Sequence, residues 1–174
     1  DGATFQAIAA RADLTRPAIN HYFSSKRALY REVMDQTNEF VIGAGVKQAQ
    51  AETTLVAQLT AFISAAVKAN SENPAGSAFI IGGVLESQRH PEWSGTENDS
   101  VRLAREFLTQ AVNAAIERGE VVAGVDASAL VETLLVVTSG VGLYAGYIKS
   151  YKDILAVVGM LRQVLEGALW RPEA

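Results

Sequence analysis

The sequence predicts an all-α protein, and three observations carry that prediction. Apolar residues recur at i+3 and i+4 along most of the chain, while strand-like alternation is almost absent. Alanine, the strongest helix former, occurs 28 times in 174 residues. All four prolines (Pro17, Pro74, Pro91 and Pro172) sit where helices start or stop, which leaves long uninterrupted segments between them.

The elements follow in order. A short helix is expected over about Thr4–Ala12, with Phe5, Ile8 and Ala9 on one face. Asp13-Leu14 makes a tight turn, and Thr15 caps a second short helix that opens Arg16-Pro17 and ends near Phe23. Ser24-Ser25 precedes a long helix from Lys26 into the 40s. Further helices are expected over about Thr53–Ser71 and from Asn73-Pro74 to about Arg89, where His90-Pro91 breaks the pattern. Asp99–Arg118 is amphipathic, through Val101, Arg105, Leu108, Val112 and Ala115, and Gly119 stops it. Asp126 caps a helix with Leu130, Leu134, Val137, Val141, Tyr144 and Ile148 on one stripe. The last helix carries Ile154, Val158, Leu161, Leu165 and Ala168. About eight helices result, two short and six longer, with no internal repeat or linker.

Composition narrows the function. A 49% hydrophobic, 20% charged chain of this length buries a substantial core, and the absence of cysteine excludes disulfides, thiolate metal sites and a cysteine nucleophile. His21 and His90 are the only histidines, and neither has a Cys, Asp or Glu at metal or triad spacing, so no metal, cofactor or catalytic group is expected. Gly140–Gly146 has the wrong spacing for a nucleotide loop and lies within a helical pattern. Asn98-Asp99-Ser100 is a glycosylation sequon without secretory context. The uncharged stretch Thr133–Ile148 falls short of the roughly 20 apolar residues a spanning helix needs. No basic n-region precedes an apolar one at the start, so no membrane association is expected and a cytoplasmic location is the default.

A net charge of −4 argues against nucleic acid until it is split by position. Residues 1–31 hold Arg11, Arg16, Lys26, Arg27 and Arg31 against Asp1 and Asp13, which is +3, so residues 32–174 carry −7. The positive end coincides with two short helices joined by the turn Asp13-Leu14-Thr15, the dimensions of a helix-turn-helix. Arg16 opens the second helix and Lys26-Arg27 the third. Each sits at an electropositive helix N-terminus, where a cation is disfavoured unless an anion docks there.

The run Thr4-Phe5-Gln6-Ala7-Ile8-Ala9-Ala10-Arg11-Ala12-Asp13-Leu14-Thr15-Arg16-Pro17-Ala18-Ile19-Asn20-His21-Tyr22-Phe23-Ser24-Ser25-Lys26-Arg27-Ala28-Leu29 resembles the DNA-binding signature of TetR-family transcriptional regulators. The resemblance covers about 26 residues; the rest is similar only in helix number and in the loop from Gly119-Glu120 to Asp126. It implies a helix-turn-helix DNA-binding module at 1–32 and a helical effector-binding and dimerisation lobe at 33–174. Thr4 and Gln6 would touch phosphate and a base edge; Thr15, Arg16, Pro17, Ala18, Asn20 and His21 would face the major groove; Tyr22 and Lys26 would grip phosphate. Arg16 suits guanine O6/N7 and Asn20 suits adenine N6/N7, while Ile8, Ala9, Ile19 and Phe23 hold the helices together. Two positions depart from the family, Asp13 where it has Gly and Asn20 where it has Tyr, so base preference does not transfer. The family also has a helix before this pair, and the chain is expected to begin just after it.

In the lobe, the resemblance implies a homodimer through the last two helices. Leu135, Ser139, Gly142 and Gly146 form a stripe of mainly small residues there, and Leu161, Leu165 and Leu169 supply bulk; the alternative is that the stripe packs within its own chain. An effector pocket among the middle helices would be lined by Phe62, Phe79, Trp93, Phe107 and Tyr144. The lack of a charge cluster there favours an apolar or neutral small molecule. The expected function is a ligand-responsive repressor on a near-palindromic double-stranded DNA operator. The competing reading is a helical dimer that binds a small molecule or protein partner and whose reader does not function on DNA.

Overall fold

The computed structural model describes residues 4–89, 99–148 and 150–169, and among these it is helical with no strand. The elements are α1 (Phe5–Arg11), α2 (Arg16–Tyr22), α3 (Lys26–Asn38), a π-helical turn (Glu39–Gly43), α4 (Ala44–Ala49), α5 (Leu55–Glu72), α6 (Pro74–Arg89), α7 (Ser100–Glu117), α8 (Ala127–Ala145) and α9 (Tyr151–Leu165). Side-chain caps set most starts. Thr4, Thr15, Thr54, Asp99, Asp126 and Ser150 each accept a hydrogen bond from a first-turn N–H of the helix that follows, each contact worth about 1 kcal/mol. Gly119 ends the α7 segment with φ of 75°, a conformation that glycine adopts freely.

The chain divides into two compact units, residues 1–36 and 37–174. In the first, α1 packs on α2, and its buried residues are Ala9, Ile19 and Met34, each at most 5% exposed. Ile8 and Phe23 are half-buried.

In the second unit α5 is central, with α4, α6, α7, α8 and α9 all packed against it. Leu59 and Val67 of α5 and Leu108 and Val112 of α7 are its most enclosed large side chains. Phe62 and Phe107 stack with ring centroids 4.7 Å apart. Beside them Gly45 brings α4 close to α5, since a Cβ on Gly45 would lie 2.8 Å from the Phe62 ring. Polar ties reinforce the packing. Arg105 of α7 holds Glu132 of α8 through two hydrogen bonds, 2.6 and 3.3 Å, and the Asn70 carboxamide donates to the Ala145 carbonyl at the end of α8. The Arg105 bond keeps the Glu132 carboxyl below its usual range and raises the guanidinium above its own.

The long helix from Lys26 is not uniform. The Ala44 N–H reaches back five residues to the Glu39 carbonyl rather than four, which inserts a π-turn between α3 and α4. By length and composition α8 is long and apolar enough to cross a membrane, with mean hydropathy 1.5 over its apolar window. That span starts at Ala127 and runs through Glu132, so it is longer than the uncharged stretch counted from Thr133. Within it Glu132 is tied to Arg105 of the neighbouring helix.

Candidate nucleic-acid interface

The reader is built by local chemistry. Helix α1 ends in a Schellman turn: the Leu14 N–H bonds to the Ala9 carbonyl (2.9 Å) and the Asp13 N–H to that of Ala10 (3.4 Å), with Asp13 at φ 56°. This is the glycine position of the motif, and Asp is among the residues that tolerate it. The turn delivers the chain to Thr15, whose Oγ1 accepts from the Ala18 N–H (3.3 Å) and starts α2. After Phe23 caps α2, Ser25 Oγ accepts from the Ala28 N–H (3.1 Å) and starts α3.

Of the expected contact residues, Thr4, Gln6, Thr15, Arg16, Pro17, Asn20, His21, Tyr22 and Lys26 are exposed, and Ala18 is half-buried. Helix α2 turns Ile19 inward, 4% exposed. At about 100° per residue, Pro17, Asn20 and His21 therefore lie on the side away from it. Tyr22 is 74% exposed, with His21 edge-on to its ring at 5.3 Å. Thr4 and Thr15 spend a lone pair on their caps, since Thr4 Oγ1 likewise accepts from the Ala7 N–H (3.1 Å). The hydroxyl hydrogens remain donors, suited to a phosphate oxygen. Arg16 and Lys26 are the first residues of their helices and Arg27 the second of α3. Three cations thus stand beside N–H groups that already favour an anion. Sequence reasoning missed Met34 as the third buried residue of this unit; an isolated Met on a mostly polar helix gave little signal.

The lobe residues are distributed differently from the expectation. Phe62 and Phe107 are core, 6% and 8% exposed and stacked on each other, rather than walls of an open space. Phe79 is half-buried on α6, Tyr144 is 57% exposed, and Trp93 lies outside the described residues. On α8, Leu135 is core at 5%, not surface; Ser139 and Gly146 are exposed and Gly142 is half-buried. The exposed apolar stripe is displaced by one residue, to Val136, Gly140, Leu143 and, just past the helix end, Tyr147. On α9, Leu161 and Leu165 pack partly against the lobe's own core. The outward stripe is Val157, Met160 and Val164, and Leu169 beyond the helix is 41% exposed.

Far from the reader in sequence, Glu120 supplies a contact that no motif announced. Its Oε2 accepts from the Leu55 N–H in the first turn of α5 (2.7 Å), and Oε1 accepts from Arg118 Nε (2.6 Å). The Arg118 bond first, and the Leu55 bond second, hold this carboxyl below its usual range.

Residues 1–33 match the family model described as bacterial regulatory proteins, tetR family. Across nearly the whole chain the fold is similar to the crystal structure of PfmR, a TetR family transcriptional regulator from Thermus thermophilus. The TM-score is 0.66 at 18% identity, covering 92% of this chain and 88% of that one. A search of curated proteins gave no match.

Proposed function

Starting from a chain whose residues 1–33 match the TetR-family model and whose fold is similar to that of a TetR-family regulator, we propose that it is a ligand-responsive transcriptional repressor that binds a near-palindromic operator as a homodimer and leaves it when a small molecule binds the lobe. The observation that carries the DNA reading is the exposed set Arg16, Pro17, Asn20, His21 and Lys26 on a capped helix-turn-helix whose surroundings are net positive. Arg16 and Asn20 read base edges in the major groove; Thr4, Thr15, Tyr22 and Lys26 fix register on phosphates. Gln6 joins them at the start of α1, and the half-buried Ala18 offers at most its methyl to a thymine.

Dimerisation is supported by the outward apolar stripes of α8 and α9. Val136 is 71% and Met160 52% exposed, an arrangement that a solvated surface does not favour and a second copy covers. A two-fold dimer presents two readers, as half-sites about 34–36 Å apart require. The effector acts only if it binds one arrangement of the readers better than the other. Phe62 and Phe107 are filled against each other, and the effector is expected to be apolar or neutral.

The test is binding of the chain, with any residues preceding Asp1 in its gene included, to DNA flanking that gene and to a random duplex pool. Complexes that weaken steeply with salt, with one sequence enriched, support the reading. No salt-sensitive complex at any concentration of salt refutes it.

A further inference from the structure

We propose that the Ser77 hydroxyl is the polar end of a small-molecule site along the enclosed face of α6, and that its ligand is neutral, with one hydroxyl or carbonyl group on an apolar body. The proposal rests on the effector reading above and gives that effector a chemical class. Ser77 is only 9% exposed, and its Oγ has no hydrogen-bond partner among the described residues. A helical serine usually escapes such isolation by donating to the carbonyl four residues earlier. Here that carbonyl is taken, because Asn73 O already accepts from the Gly76 N–H (3.1 Å) and the Ser77 N–H (3.3 Å). A buried hydroxyl left unpaired costs stability, and alanine in its place would cost none and favour the helix. The hydroxyl is an advantage once a ligand completes its bond.

The surroundings of Ser77 set the rest of the ligand. At about 100° per residue, Ile80, Ile81 and Val84 share its side of α6. All three are half-buried, and α6 lies against α5 and α7. Yet no described residue of α6 belongs to the lobe's core cluster or packs against it. The helix thus turns an apolar face inward without sealing it on the core, and an apolar body seated there would complete the contact. From Ser77 to Val84 the face runs about 10 Å along the helix, the reach of a medium-length hydrocarbon chain. An ion would be desolvated there without a counter-charge, since Ile80, Ile81 and Val84 offer none and Glu86 lies about 180° round the helix from Ser77.

The test titrates the full chain and its Ser77→Ala variant with 1-octanol, 1-chlorooctane and octanoate by calorimetry, and melts both proteins without ligand. Wild type should bind 1-octanol at least tenfold more tightly than either of the other two. Ser77→Ala should lose at least tenfold in affinity for 1-octanol, keep its affinity for 1-chlorooctane, and melt above wild type when empty. No binding of 1-octanol by wild type overturns the site, and octanoate binding as tight as 1-octanol overturns the neutral class. An equal loss on 1-octanol and 1-chlorooctane, or no loss on either, removes the Ser77 bond. A variant that melts below wild type shows that the hydroxyl is already satisfied in the free protein, which overturns the proposal. Binding of 1-octanol with the expected ratios but without any change in duplex affinity upholds the site and refutes the effector reading.

Discussion

Replacing Gly45 with alanine sets two effects of known size against each other. Alanine is the better helix former by about 1 kcal/mol, so on helix propensity alone the variant gains stability. The added Cβ would lie 2.8 Å from Phe62 Cδ2, 3.1 Å from Cε2 and 3.3 Å from the Phe62 carbonyl oxygen. Carbon atoms rest at about 3.5–4.0 Å, so the ring or helix α4 has to move by roughly 0.7 Å. The ring cannot swing away, because it is 6% exposed and stacked on Phe107. Overpacking of this kind costs about 1–3 kcal/mol. The net result is a loss of about 1 kcal/mol, or a thermal midpoint about 2–4 °C lower for a chain of this length. Gly82→Ala and Gly159→Ala are the controls: a Cβ there meets nothing within 4 Å, so both should melt above wild type. In the double variant with Phe62→Leu the two losses should sum to less than their total, since leucine removes the obstacle. A Gly45→Ala protein that melts as high as the two controls would refute the close-approach argument.

Four further outcomes are expected. Lys26→Ala weakens binding to every duplex and lowers the salt slope by about one; an unchanged slope removes Lys26 from the phosphate contacts. Asn20→Ala instead changes base preference at one position per half-site, so an equal loss on all operator variants contradicts its reading role. Met160→Asp places a charge in the outward stripe of α9 and should yield a monomer by sedimentation, whereas an unperturbed dimer would move the interface elsewhere. Glu120→Gln lowers stability at neutral pH. Because the folded carboxyl titrates below its ordinary 4.5, its contribution is complete above that value and disappears as pH falls through the folded one. The gap between wild type and variant in urea melts should therefore close in acid, and a gap constant from pH 7 to pH 3 would show that the charge is not responsible.

What could be read from the sequence was what local chemistry decides. Thr15, Asp99 and Asp126 announce helix starts because a cap is satisfied within three residues, and the Asp13 turn is a matter of one backbone angle. The helix-turn-helix was legible because its inward and exposed positions are set by residue order along two short helices. The lobe was less so. In Leu134-Leu135-Val136-Val137 every side of α8 is apolar, so periodicity cannot say whether Leu135 or Val136 faces out, and the surface stripe was placed one residue early. Phe62 and Phe107 present the same signal whether they line a space or fill one; only their mutual stacking separates the two. The π-turn leaves no mark in residue type, because a bond to the fifth rather than the fourth carbonyl needs no particular side chain. Glu120 was hidden by distance, since its partner lies 65 positions earlier.

That distance has a consequence during synthesis. The first-turn amide of Leu55 is completed by a carboxylate 65 residues further on. At a ribosomal pace of about 5–20 residues per second, α5 would wait about 3–13 s for the carboxylate to be made. The central helix of the lobe is thus born with an unfinished end. The loop between α7 and α8 closes it, so a nascent chain halted before Glu120 carries a hub without its clasp.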